Sequence, residues 1–100
     1  MRTVMVRYRA KDEEKAAENE ALIRGVFAEL AQKAPGGVRY ASYRFDGTSF
    51  MHVATIETTD PHPLTTLPAF QRFTEKIKER CVEPPVTTEM TPVGWYASMR

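Results

Sequence analysis

Residues 38–57, VRYASYRFDGTSFMHVATIE, hold two stretches of alternating side chains hinged at Asp46-Gly47. Asp-Gly between period-2 segments is a strong hairpin signal, because such a turn needs positive φ and glycine accepts it without steric cost. This pattern predicts antiparallel strands over 38–45 and 49–57 and commits the chain to an antiparallel sheet. The rest must supply further strands and something to cover them.

Residues 3–10, TVMVRYRA, set Val4, Val6, Tyr8 and Ala10 on one side and Thr3, Met5, Arg7 and Arg9 on the other, as in a strand. Asp12 then stands as a helix cap, with Glu13 and Glu14 in the first turn where the helix dipole favours anions. Ala16, Ile23, Val26, Phe27, Leu30 and Ala34 recur at three- and four-residue steps and form one apolar stripe. The charge run KDEEKAAENE at its start reads as a solvated face. Pro35, Gly36 and Gly37 end the helix. After the hairpin, two prolines in residues 58–67 mark a loop. Pro68 suits the first turn of a second helix, PAFQRFTEKIKERC, whose stripe is Phe70, Phe73, Ile77 and Cys81. Glu83-Pro84-Pro85 would stop it, leaving 86–97 as a last strand, kinked near Pro92 and Gly94.

The order is β-α-β-β-α-β, the split βαβ of ferredoxin-like α+β folds, in a single domain spanning 1–100. Two helices cover one face of a four-stranded sheet. The other would leave Met, Tyr, Val and Trp side chains in water, and pairing with the same face of a second copy is the simplest remedy. A chain of 100 residues buries only about 60–65% of its unfolded surface, so it stands to gain from dimerising.

Composition narrows the function classes. The net charge is +1, and neither half is a basic footprint: residues 1–50 carry nine Lys/Arg against seven Asp/Glu, and residues 51–100 five against six. Nucleic acid is not an expected partner. The single cysteine, Cys81, excludes an internal disulfide and points to a reducing compartment. The first ten residues lack the apolar core of a signal peptide, and no apolar run has the length of a membrane span, so a cytoplasmic location with no membrane partner is expected. His52 and His62 lack metal-ligand spacing, and no metal is expected. There is no Ser-His-Asp order and no phosphate-cradling loop.

VRYRAKDEE, running from the first strand into its helix, and LPAFQRF, opening the second helix, resemble the dimeric α+β barrel superfamily, and within it the antibiotic-biosynthesis-monooxygenase-like proteins. The resemblance implies a homodimeric α+β barrel whose bare sheets enclose a pocket, and an activity, where there is one, that needs no cofactor. Thr55 falls where that family often carries a tryptophan, and Leu64 and Ala69 where histidines are frequent.

His52 is the one side chain weighed for catalysis. Parity groups it with Phe50, Ala54 and Ile56, so in the family register it turns toward the helices. As a buried, hydrogen-bonded histidine it satisfies that position without chemistry; as a catalyst it would need a cleft and a partner. His62, between prolines, reads as a loop residue or a pocket lip. Arg7, on the barrel-facing side of the first strand, either pairs with Glu89 of the last strand or meets an anionic ligand. Tyr43 and Trp95 offer stacking surface, so Arg7, Tyr43, Thr55, Glu89 and Trp95 are the candidate ligand-pocket residues. Three readings follow: a cofactor-independent oxygenase or isomerase of a small aromatic or quinone-like compound; a noncatalytic homodimeric module that binds a ligand or assembles; and a haem-degrading protein, which needs an axial histidine facing the cavity.

Overall fold

The computed structural model describes residues 1–57 and 61–96. Strand β1 (Arg2–Ala10) leads to helix α1 (Glu13–Lys33), then to the hairpin of β2 (Val38–Phe45) and β3 (Ser49–Ile56). Helices α2 (Pro68–Glu75) and α3 (Ile77–Arg80) follow, and β4 (Cys81–Met90) closes the sheet. The strands lie in the order β2-β3-β1-β4, every neighbouring pair antiparallel. This is the ferredoxin-like α+β arrangement that the element order predicts.

The hairpin turns where expected, with both Asp46 (φ 53°) and Gly47 (φ 80°) in the left-handed region. Arg44 ties this turn to the first helix. Its Nε donates to the Gly47 carbonyl at 2.6 Å, while its terminal nitrogens reach Glu20 at 2.9 Å and Glu13 at 2.8 Å. At the start of α1 the Asp12 carboxylate accepts from the Lys15 amide at 2.8 Å. At its end Ala34, rather than a glycine, takes the left-handed cap at φ 43°, ψ 55°.

Three sequence expectations are corrected. The second helix does not run unbroken to Cys81: it breaks at Lys76 (φ −124°) and resumes for one turn. Cys81 opens β4 opposite Ala10 instead of sitting on a helix face, though it is buried as expected. Glu83, Pro84 and Pro85 lie inside β4, which ends at Met90, so Pro92 and Gly94 follow the strand rather than kink it. The prolines are tolerated because β4 is an edge strand, and its register with β1 is irregular between Arg7 and Ala10. The expected strand segment at residue 97 lies outside the described residues.

The core fills one side of the sheet. Tyr8, Ala10, Phe50, Val26 and Phe73 join one buried cluster, and Ala54, Ile56, Leu64 and Leu67 a second. On β3 the alternation is strict, with Phe50, His52, Ala54 and Ile56 buried and Met51, Val53 and Thr55 half-exposed. The opposite face presents Tyr43, Phe45 and Val86 to solvent, at 53, 38 and 63% exposure. No helix of the described residues is long and apolar enough to cross a membrane.

Candidate functional site: an aromatic cavity over a buried histidine

A cavity of about 310 Å³ lies between the helices and the covered face of the sheet. Val4, Val6 and Tyr8 of β1, Tyr40 of β2 and His52 and Ala54 of β3 form its floor. Phe70 and Phe73 of α2, Ile77 of α3 and Leu64 of the preceding loop form its roof. A pocket of this volume, apolar with a few converging polar groups, has the character of a small-molecule site.

The polar groups converge on His52, which is 3% exposed. The register explains why: β1 and β3 pair without irregularity from Arg2↔Ile56 to Arg9↔Ser49, so parity is kept and His52 faces the helices. Its ring is held among aromatic neighbours, near-parallel to Tyr8 and Tyr40 at 5.4 and 5.8 Å and edge-on to Phe73 at 5.4 Å. Nε2 lies 2.7 Å from the Tyr8 hydroxyl; Nδ1 lies 2.5 Å from the Ser42 hydroxyl and 3.2 Å from that of Tyr40.

These bonds extend into a directional chain. Arg80, a buried guanidinium (3% exposed), donates from Nε to Asn19 Oδ1 at 2.9 Å and from a terminal nitrogen to the Phe73 carbonyl at 2.6 Å. Arginine only donates, so Asn19 Oδ1 must be the acceptor, which fixes the amide orientation. Asn19 Nδ2 then donates to the Tyr8 hydroxyl at 2.8 Å. That hydroxyl keeps its own proton and a further lone pair, so it can donate to His52 Nε2 or accept from it. In the tautomer with the His52 proton on Nδ1, the imidazole donates to Ser42 and accepts from Tyr8 at Nε2. Burial pushes the His52 pKa down from 6.5 to about 4, raises that of Tyr8, and pushes Tyr40 up to about 12 despite its neighbour Ser42. At neutral pH the histidine is an uncharged imidazole beside two protonated phenols. Such a group can take up a proton without first losing one.

The two readings of His52 are therefore compatible: it is buried and hydrogen-bonded, and it also lines a cleft with a partner. His62 lines the cavity too, its Nδ1 accepting from the Leu64 and Thr65 amides at 3.1 and 3.2 Å and shaping the loop at the rim. Glu29 of α1 accepts from the Ala69 amide at 2.8 Å, a bond that holds its carboxyl below the usual range and anchors the start of α2.

The other candidates lie elsewhere. Arg7, Tyr43 and Thr55 stand on the uncovered face, Thr55 bonded to Thr3 across the strands at 3.1 Å. Trp95 lies with Arg39 on that side, the guanidinium 4.7 Å from the ring centre. Arg7 borders a separate open depression of about 300 Å³ together with Met5, Phe45 and Val86. The expected Arg7–Glu89 pair is not formed: the register places Arg7 opposite Val86 and Glu89 opposite Val4, on the other face. Glu89 pairs with Arg2 at 3.6 Å instead, and Arg9 pairs with Glu83 at 2.7 Å. Asn19 corrects the reading of residues 11–20 as a solvated run, since it is fully buried. Its signal was available: residue 19 falls between Ala16 and Ile23 on the apolar stripe, just as Arg80 falls three residues after Ile77 on the second stripe.

No family model and no curated protein matches the chain. Solved structures do. The chain is similar to Rv0793 of Mycobacterium tuberculosis, with a TM-score of 0.72 and 19% identity over 97% of this chain and 98% of that one. It is also similar to an antibiotic biosynthesis monooxygenase, with a TM-score of 0.72 and 15% identity over 94% of this chain and 100% of the other. A third similar structure is SnoaB, a cofactor-independent oxygenase of Streptomyces nogalater, with a TM-score of 0.66 and 16% identity over 97% of each chain. The chain thus has an antibiotic-biosynthesis-monooxygenase-like fold over most of its length.

Proposed function

We propose that the protein binds a small aromatic or quinone-like compound in the cavity beneath α2 and removes a proton from it through Tyr8 and His52, as a cofactor-independent oxygenase or isomerase requires. The observation that carries this reading is a buried imidazole whose Nε2 lies 2.7 Å from the hydroxyl of a cavity-lining phenol. When a ligand hydroxyl or an acidic C–H gives its proton to Tyr8, Tyr8 passes its own to His52 Nε2. His52 then donates from both nitrogens, so the newly bound proton of Tyr8 turns toward the ligand anion and stabilises it. An isomerase returns that proton to another carbon; in an oxygenase the electron-rich anion reacts with dioxygen. The similarity to a cofactor-independent oxygenase supports this chemistry. For the haem-degrading alternative, His52 offers no nitrogen to an iron, since both are hydrogen-bonded.

The second reading, a noncatalytic ligand-binding homodimer, keeps the cavity and omits the proton transfer. In either case a second copy is proposed to cover the bare face, where Arg7, Tyr43, Thr55 and Trp95 would lie at the seam between two sheets.

Hydrogen–deuterium exchange separates these readings. With β-tetralone as a probe in heavy water, the protein is expected to accelerate exchange of the acidic methylene protons. His52→Ala should lower that acceleration by about 10²–10⁴-fold. Saturable binding with no acceleration would favour the noncatalytic module, and no binding would refute the cavity as a ligand site.

A further inference from the structure

Arg2 lines the cavity at its open end, where Thr65, Thr74 and Thr87 are also exposed, whereas Tyr8 and His52 close the buried end. Arg2 is the only Lys or Arg among the described residues that line the cavity. Its ion-pair partner among the described residues is Glu89, which meets Nε at 3.6 Å. Both side chains are mostly exposed, 61 and 67%, so this contact is weak and easily exchanged. An arginine at the rim of an apolar pocket, its terminal nitrogens without an ion-pair partner among the described residues, suits bidentate recognition of a carboxylate.

The strand sets the distance. Arg2, Val4, Val6 and Tyr8 all point into the cavity from β1, and Val6 pairs with His52. Four residues of strand separate Arg2 from Val6, a span of roughly 13 Å at about 3.3 Å per residue. Allowing for the lean of the arginine side chain, a ligand touching both Arg2 and the Tyr8–His52 pair extends on the order of 10 Å. We infer that the ligand is an elongated aromatic acid, its reacting hydroxyl or carbonyl at Tyr8–His52 and its carboxylate on Arg2. This inference names the ligand class of the proposed cavity and rests on that cavity being a binding site. Glu89 acts as an internal stand-in for the carboxylate, occupying Arg2 until the ligand replaces it. His62 and the rim threonines contribute no fixed negative charge against the ligand.

The test uses two probes, para-hydroxybiphenyl and the same compound with a carboxylate at its far para position, titrated by calorimetry at low and moderate salt. The carboxylated probe is expected to bind the wild type at least tenfold tighter, with the difference shrinking as salt screens it. Arg2→Ala should abolish that preference by lowering the affinity of the carboxylated probe to about that of the neutral one. Glu89→Gln should tighten the carboxylated probe a few-fold by removing its competitor. Equal affinity of the wild type for both probes, or a preference that survives Arg2→Ala, would overturn this inference and leave the cavity reading intact. If neither probe binds, the cavity reading itself fails and the carboxylate assignment goes with it.

Discussion

The two faces of this sheet are built from the same strands, often from adjacent residues, yet they hold different kinds of chemistry. On β3 the side chains toward the helices are Phe50, His52, Ala54 and Ile56, all buried; those pointing away are Met51, Val53 and Thr55, all half-exposed. The covered face contains a polar chain running from Arg80 through Asn19 and Tyr8 to His52, with every buried side-chain polar atom of the described residues satisfied. The bare face carries a Thr3–Thr55 bond, the Arg9–Glu83 ion pair and the Arg39–Trp95 contact across a mixture of Met, Val, Tyr and Arg. Polar groups are buried within one protomer where neighbouring side chains supply their partners, as Asn19 of α1 does for Tyr8 and Arg80 of α3 for Asn19. The bare face therefore suits a partner of the same composition.

The largest contrast should come from truncating one residue on each side. Phe50→Ala removes a ring that is 1% exposed and stacked on Tyr8 at 5.4 Å. A loss of about 3–5 kcal/mol is expected in urea unfolding. Val53→Asp, three residues along on the other face, should leave a folded protomer but weaken self-association about a hundredfold or more, roughly 3 kcal/mol, as read by sedimentation. If Val53→Asp instead unfolds the protomer while Phe50→Ala is tolerated, the assignment of the two faces is wrong.

A pH effect of similar size belongs to the covered face alone. The His52 pKa falls from 6.5 to about 4 on folding because burial disfavours the cation. Above pH 6.5 the imidazole is neutral in both states. Between pH 6.5 and 4 only the unfolded chain takes up the proton, so stability falls as the solution is acidified through that window. The loss amounts to about 3 kcal/mol. Denaturation midpoints measured from pH 7 to 4 should show this slope, and His52→Gln should flatten it.

The smallest effect is a control on neither face. Ala34 is exposed and caps α1 in the left-handed region, where a Cβ is strained. Ala34→Gly should stabilise the protein by about 1 kcal/mol without changing self-association or ligand binding.

The faces also differ in how well the sequence foretold them. Period-2 alternation and the Asp46-Gly47 turn placed three strands and grouped His52 with Phe50, Ala54 and Ile56, while the side that group faces followed only from the family register. The start of strand β4 escaped because Pro84 and Pro85 signal a break, and only an edge position lets a strand carry them. That error displaced Glu89: pairing it with Arg7 assumed a register the irregular β1–β4 pairing does not have. The hydrogen-bonded chain was hidden for another reason. Asn19 and Arg80 occupy stripe positions, but each looks like an interruption until the other is seen 2.9 Å away across two helices. Tertiary pairing of two local exceptions has no one-dimensional signature.

Which face takes the ligand is decided most directly by an NMR titration with para-hydroxybiphenyl, observing the imidazole of His52 together with the methyl groups of Met5 and Met51. The account predicts saturable, one-to-one shifts of the His52 resonances while both methionine methyls stay in place. Shifts confined to the methionines, with His52 unmoved, would contradict it.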